Sequence, residues 1–201
     1  MFKTKEFRWS LVLFLIPLIV DLILYPQLPN VVATHFDENG NPNSYMQKGI
    51  AILVLFVFML VTHILVLFFT SKDPKGRDIK LSFFRILCMI CPILYVIVNG
   101  IIMGYALGYE IHIVNTVSFL IGLVLIVMGL FLPKSNLPLN LPWDIKNEEL
   151  IHQLYGYCLM AAGLLFMVCG FINQITIGII GMLILLFMPI LYSYYLYKNE
   201  K

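Results

Sequence analysis

The sequence has 201 residues, of which 61% are hydrophobic and 12% charged, and its mean hydropathy is +0.92. This composition excludes a soluble globular domain and is typical of an integral membrane protein. The formal net charge of +2 is the difference between 13 basic and 11 acidic residues. Charges this few and this scattered exclude direct nucleic-acid binding, so the lipid bilayer is the first expected partner.

Six apolar runs are each long enough to cross a bilayer, which takes about 20 helical residues. Prolines and polar turn residues separate them. The runs cover residues 9–25, 50–70, 81–107, 113–132, 150–172 and 176–197. We therefore predict an all-α, polytopic integral membrane protein with six transmembrane helices, built as a single helical bundle over residues 1–201.

The basic residues are concentrated in alternate segments. If the N-terminus is cytoplasmic, 12 of the 13 Lys and Arg residues lie inside and Lys48 alone lies outside. The positive-inside rule then places both termini in the cytoplasm. It predicts an extracellular loop at 26–49 and cytoplasmic loops at 71–81 and 133–149.

The extracellular loop has turn chemistry. Residues 31–34 favour an extended segment, and Asp37 to Gly40 favour a turn in which Gly40 adopts a positive φ. The spacing of Asp37, Asn39 and Asn41 imitates a calcium loop, but a proline stands where that loop needs glycine, so we exclude calcium. His35 is interpreted as a ligand contact, as a metal ligand or as a side chain that stabilises its own turn.

Among the polar residues within the apolar runs, four are candidates for a role inside the membrane: Asp21, His63, Arg85 and Asn99. Ionisable groups in a bilayer are costly and are therefore candidates for function or for fixing helix register. Helix rise places Asp21 and His63 roughly two turns apart in depth, so we predict no pair between them. Asp21 is expected to pair with Asn99 or with a helix N-terminus, and Arg85 is expected to extend its cation to the inner surface.

Gly100, Gly104 and Gly108 are spaced for close helix contact. This groove can serve packing within the chain or a homodimer.

Sequence motifs for catalysis are missing, since no His-Glu-x-x-His, Gly-x-Ser-x-Gly or P-loop occurs. The four cysteines all fall in apolar runs, so we expect buried packing rather than disulfides or zinc. They are Cys88, Cys91, Cys158 and Cys169. We predict a protein that is not an enzyme, with no catalytic residues, no metal and no cofactor.

The loop at 133–149 has a second informative pattern. Trp143 suits a membrane interface, and Asn147 before Glu148 and Glu149 is a good helix N-cap. The segment is either an interfacial re-entry or a docking surface for a cytoplasmic partner. Its candidate docking residues are Pro142, Trp143, Glu148 and Glu149.

Short motifs along the chain share their type and order with one family. Leu-Tyr-Pro-x-Leu-Pro at 24–29 precedes Thr-His-Phe-Asp at 34–37 and Gly-Asn-Pro at 40–42. Later matches are at 108–111, 125–129, 142–143, 148–149 and 194–198. In these motifs the chain resembles the SdpI family of bacterial toxin-immunity membrane proteins, including the uncharacterised membrane domain with which many of them begin.

The resemblance implies a multi-pass protein of the bacterial plasma membrane that protects its cell from a secreted SdpC-like antimicrobial peptide. The exposed loops would meet such a peptide first, and the candidate toxin-binding residues are His35, Phe36, Asp37, Tyr45 and Glu110. The resemblance also implies that the protein senses the toxin and sequesters a small autorepressor at the membrane. The family has Arg and Thr before Pro-Trp, whereas this chain has Asn140 and Leu141, so the resemblance favours immunity over repressor docking.

Two other classes remain open. A small transporter or flippase, or an envelope-stress sensor, would use the intramembrane polar residues. A metal-dependent membrane enzyme would need His35, Asp37, Glu110 and His112 to converge.

Overall fold

The computed structural model describes residues 5–71, 81–135, 141–143 and 147–199. Within these residues, six helices are long and apolar enough to cross a membrane, which confirms the predicted number of spans. The helices are α1 Lys5–Leu24, α2 Lys48–Ser71, α3 Leu81–Ala106, α4 Ile113–Phe131, α5 Glu148–Phe171 and α6 Ile175–Asn199. The predicted loop 71–81 lies almost wholly outside the described residues, as does much of 133–149.

A β-hairpin adds to the helices. Strand β1, Val31–Phe36, pairs antiparallel with β2, Pro42–Gln47. The all-α description omitted this pairing, although the extended segment predicted at 31–34 lies in β1. Two six-residue strands were not recognised because β2 is polar and contains proline, both unfavourable for a strand.

The turn predicted at Gly40 is present, and two helices end in residues of the same left-handed conformation. Gly40 has a φ of 82°, and Gly108, which follows α3, has a φ of 88°. The amide of Tyr109 donates to the carbonyl of Gly104 over 3.1 Å, a bond that closes the helix end around a left-handed residue. Asn173 has a φ of 54° and ends α5 in the same way.

The chain forms two compact units. The first comprises Met1–Lys72 and Phe84–Ile113, and the second comprises Asp73–Phe83 and Val114–Lys201. The first contains α1, the hairpin, α2 and most of α3. The second contains most of α4, together with α5 and α6. The single bundle over 1–201 stays a prediction.

Two apolar clusters form the interior of the first unit. One is built on Phe14, Cys91 and Tyr95. The other, built on Leu28, Ile52 and Met103, lies where the loop after α1 meets α2 and α3. This second cluster fixes the base of the hairpin to the helices.

Glycines bring α4 and α5 together in the second unit. A Cβ atom on Gly122 would lie 2.5 Å from the carbonyl oxygen of Gly163, and one on Gly129 would lie 2.6 Å from that of Gly156. Real Cβ atoms do not approach oxygen this closely, so the backbones can meet only because these residues lack side chains. The glycines recur every seven residues on each helix, which keeps them on one face.

The four cysteines are free and buried, as their positions in apolar runs predicted.

Candidate functional site

The hairpin displays His35 through a break in strand register. Ala33 pairs with Tyr45 and His35 pairs with Ser44, so Thr34 is an extra residue in β1. Such a bulge redirects the side chains that follow it. Ala33 is buried, whereas His35 is exposed, although side chains two residues apart in a regular strand share one face.

A cross-strand hydrogen bond fixes the imidazole of His35. Its Nδ1 lies 2.5 Å from Oδ1 of Asn43. Because an amide oxygen only accepts, Nδ1 of His35 is the donor in this bond. The structural and the ligand-contact interpretations of His35 therefore both have a basis. One nitrogen stabilises the hairpin, while the side chain stays exposed.

Asp37 organises the turn between the strands. Its Oδ1 accepts from the backbone amides of Asn39 at 2.9 Å and Asn41 at 2.8 Å, and Oδ2 accepts from Nδ2 of Asn41 at 3.4 Å. The amide of Asn41 is the largest cause that holds the pKa of this carboxyl below its usual value, and that of Asn39 adds to it. The calcium-like spacing is thus used for hydrogen bonds within the turn.

Aromatic residues of the hairpin have opposite roles. The ring of Phe36 meets that of Tyr105 on α3 edge to face, with centroids 5.0 Å apart, so Phe36 anchors the hairpin. Tyr45 is 58% exposed and is available for contact. Glu110 is exposed in the turn after α3.

Lys48 fixes the base of the hairpin, which the sequence did not reveal. Its Nζ donates to the carbonyl oxygens of Tyr25 and Leu28, both at 2.9 Å, and lies 4.6 Å from the centre of the Tyr25 ring. A cation beyond the C-terminal end of α1 satisfies backbone carbonyls and opposes the helix dipole. The sequence signal that could have indicated this role is the position of a lysine just before an apolar run.

The polar residues within the helices form separate pairs. Nδ2 of Asn99 donates to Oδ1 of Asp21 at 2.7 Å, which confirms the first of the two predicted partners. Nε2 of His63 bonds instead with Oγ of Ser10 at 2.9 Å, so no Asp21–His63 pair forms.

Arg85 has an exposed side chain, and its Nε lies 3.1 Å from Oε1 of Glu6. The exposure agrees with a cation that reaches toward water. The sequence did not predict the ion pair, because the two residues are 79 positions apart.

The expected groove at Gly100, Gly104 and Gly108 makes little contact within the described chain. A Cβ on Gly100 or Gly108 would meet no atom within 4 Å, and one on Gly104 would meet only a side-chain tip of Ile111, at 3.1 Å. Within the described residues, the alternative of close packing within the chain is therefore supported at Gly104 alone. The homodimer through these glycines stays a prediction.

The candidate docking residues lie at and before the start of α5. The ring of Trp143 meets that of Tyr194 edge to face at 5.3 Å, and Pro142 is exposed. The Asn147 side chain accepts from the amide of Leu150 at 3.0 Å, which confirms the predicted N-cap. Glu149 is exposed, and its Oε1 accepts from Gln153 at 3.4 Å.

In the part of the chain that the structure describes, no three His, Cys, Asp or Glu side chains are close enough to hold a metal ion. The four residues of the metalloenzyme alternative are therefore not brought together.

Comparison with known proteins gives two matches. A family described as a domain of unknown function, DUF1648, matches residues 12–60. The immunity protein SdpI of Bacillus subtilis (strain 168) is 26% identical over 200 residues, covering 94% of this chain and 95% of that protein. No solved structure matches.

Proposed function

We propose that this chain is an immunity protein that protects the producing bacterium from a secreted, SdpC-like antimicrobial peptide, on the premise of its similarity to SdpI over 94% of its length. The end-to-end match to an immunity protein carries the proposal, because it includes all six helices and the hairpin rather than one shared segment.

The proposed orientation puts both termini in the cytoplasm and the hairpin outside the plasma membrane. The distribution of Lys and Arg supports it, since Lys48 alone lies on the outer side. A peptide arriving from outside would then meet the hairpin first.

The proposed recognition surface consists of His35, Tyr45 and Glu110, supported by Phe36 and Asp37. An exposed tyrosine gives a large contact area at low entropic cost, and a histidine and a carboxylate give polar contacts. Phe36 packs inward and Asp37 bonds within the turn, so these two hold the surface in shape. Neutralising a peptide by binding requires no chemical step, which is consistent with a protein that is not an enzyme.

A sensing role is a further part of the proposal. Pro142, Trp143, Glu148 and Glu149 would form the cytoplasmic face that sequesters a small repressor. Pro142 and Glu149 are exposed there, whereas Trp143 packs on Tyr194 and would hold the segment in place.

Survival of a toxin-sensitive strain under peptide challenge tests the recognition surface. His35→Ala and Tyr45→Ala should each reduce protection at unchanged membrane abundance. Tyr195→Ala is the matched control, because Tyr195 is 59% exposed and Tyr45 is 58% exposed. Full protection by the double variant His35→Ala/Tyr45→Ala would remove the hairpin from the recognition site.

A further inference from the structure

A buried polar layer crosses the interior of the first unit, and the proposed immunity function does not use it. Asp21 on α1 is 0% exposed and Asn99 on α3 is 3% exposed. Their side chains share the 2.7 Å hydrogen bond described above. Tyr95, about one turn before Asn99 on α3, is also 0% exposed.

Apolar clusters adjoin this layer on both sides. Along α3, Asn99 falls between Tyr95, which belongs to the cluster around Phe14, and Met103, which belongs to the cluster around Leu28. Both clusters exclude water. Polar atoms between them must therefore find their partners inside the protein, where an unmatched polar atom is costly.

Hydrogen bonding leaves the layer short of donors. Oδ2 of Asp21 and Oδ1 of Asn99 are buried acceptors, and neither has a partner among the described residues. The hydroxyl of Tyr95 is buried and unpaired too. A tyrosine donates one hydrogen, so at least one of these acceptors stays unmatched even if Tyr95 turns toward them.

The described basic residues of α1, α2 and α3 do not supply the missing charge. Lys48 and Arg85 have other partners. His63 uses Nε2 for Ser10, its Nδ1 has no partner among the described residues, and it lies roughly two turns from Asp21 in depth. The basic residues in the first turn of α1 are at least 13 residues from Asp21. Tyr95 is the other titratable group at this layer. A carboxylate buried without a counter-ion costs several kcal/mol, on the order of a whole protein's stability.

We propose that Asp21, Asn99 and Tyr95 form a binding site for one small monovalent cation, either a proton carried by Asp21 or a sodium ion held among the three side chains. Either cation supplies the missing positive charge and links α1 to α3. The site is independent of peptide recognition at the hairpin.

Infrared spectroscopy of protein carrying ¹³C-labelled aspartate carboxyl groups tests the proposal in the full chain, in lipid nanodiscs at neutral pH. Asp21 is the one aspartate within an apolar run, whereas the others are at 37, 73, 78 and 144 in polar segments. With choline as the cation, a carboxylic acid band that shifts with the label and is absent in Asp21→Asn is expected if the site holds a proton. Asp37→Asn is the matched control and should leave that band unchanged.

Sodium titration against choline at constant ionic strength distinguishes the two cations. A melting temperature that rises by several degrees in the wild type but not in Asp21→Asn indicates sodium, because a ligand that binds only the folded state stabilises it. A protonated carboxyl that is insensitive to sodium indicates the proton. If the labelled aspartates are all ionised and sodium changes neither spectrum nor melting temperature, the proposal is overturned. The wild-type measurements alone can overturn the proposal, so the test does not depend on the folding of Asp21→Asn.

Discussion

His35 and Asp37 are two residues apart, yet the hairpin uses them differently. The carboxylate of Asp37 accepts hydrogen bonds from the backbone of the turn. His35 bonds to Asn43 through one nitrogen and stays exposed. The turn could be predicted because Asp, Asn and Gly have local preferences. The exposure of His35 could not, since it depends on a bulge set by pairing with the distant second strand.

Lowering the pH should weaken the turn with a midpoint below the ordinary aspartate pKa. The folded pKa of Asp37 is depressed by amide hydrogen bonds, so its stabilising effect is complete above the unfolded pKa and is lost as pH falls through the folded pKa. The amide NMR shifts of Asn39 and Asn41 in nanodiscs report this titration. A midpoint at or above the ordinary aspartate pKa would contradict the assignment, and Asp37→Ala should abolish the titration.

Ser10→Ala should destabilise the protein by about 1–3 kcal/mol, because it leaves Nε2 of His63 buried without a partner, in addition to Nδ1, which already has none among the described residues. Ser193→Ala is a matched control. That buried hydroxyl donates to the carbonyl of Ile190 within its own helix, and its loss should have a smaller effect. Thermal unfolding in detergent measures both variants, and equal losses would show that the Ser10–His63 bond contributes nothing.

At the scale of the element, the bounds of the helices followed from hydrophobic length and from turn residues. The packing of those helices did not. The series Gly100, Gly104, Gly108 matched a known contact pattern yet meets almost nothing, whereas the seven-residue spacing of Gly122 and Gly129 is used. Glycine spacing shows which face of a helix allows close approach of another helix. A single sequence does not show which helix packs against that face.

Gly122→Ala should destabilise the protein by about 1–3 kcal/mol, since its new Cβ would lie 2.5 Å from the carbonyl oxygen of Gly163 and the helices would have to separate. Gly100→Ala should be neutral or slightly stabilising, because the new methyl group meets nothing and alanine favours helix. The melting temperatures of the two variants decide the question. A Gly122→Ala protein as stable as Gly100→Ala would contradict the close contact of α4 and α5.

At the scale of the whole molecule, composition predicted a six-helix membrane protein, and the distribution of charge predicted that both termini lie in the cytoplasm. Labelling with a membrane-impermeant maleimide tests the orientation. Ser44→Cys should react in intact cells, and Lys198→Cys should react only after permeabilisation. The native cysteines are buried and should give little background. The reverse pattern would invert the topology and place the hairpin in the cytoplasm.

The prediction of function also rests on motifs from the whole chain. Short motifs were enough to suggest the family because they recur in order from the first loop to the C-terminal tyrosines. The partner of the hairpin could not be predicted, since the general polar and aromatic contacts that its surface offers suit many ligands.

Survival of a toxin-sensitive bacterial strain that expresses this protein, against an empty vector, tests the central claim most directly. The challenges are an SdpC-like peptide and any secreted peptide encoded beside the gene. Immunity predicts survival with at least one of them, dependent on the inserted full-length protein. Death of both strains under every challenge, with the protein shown to be in the membrane, would contradict it.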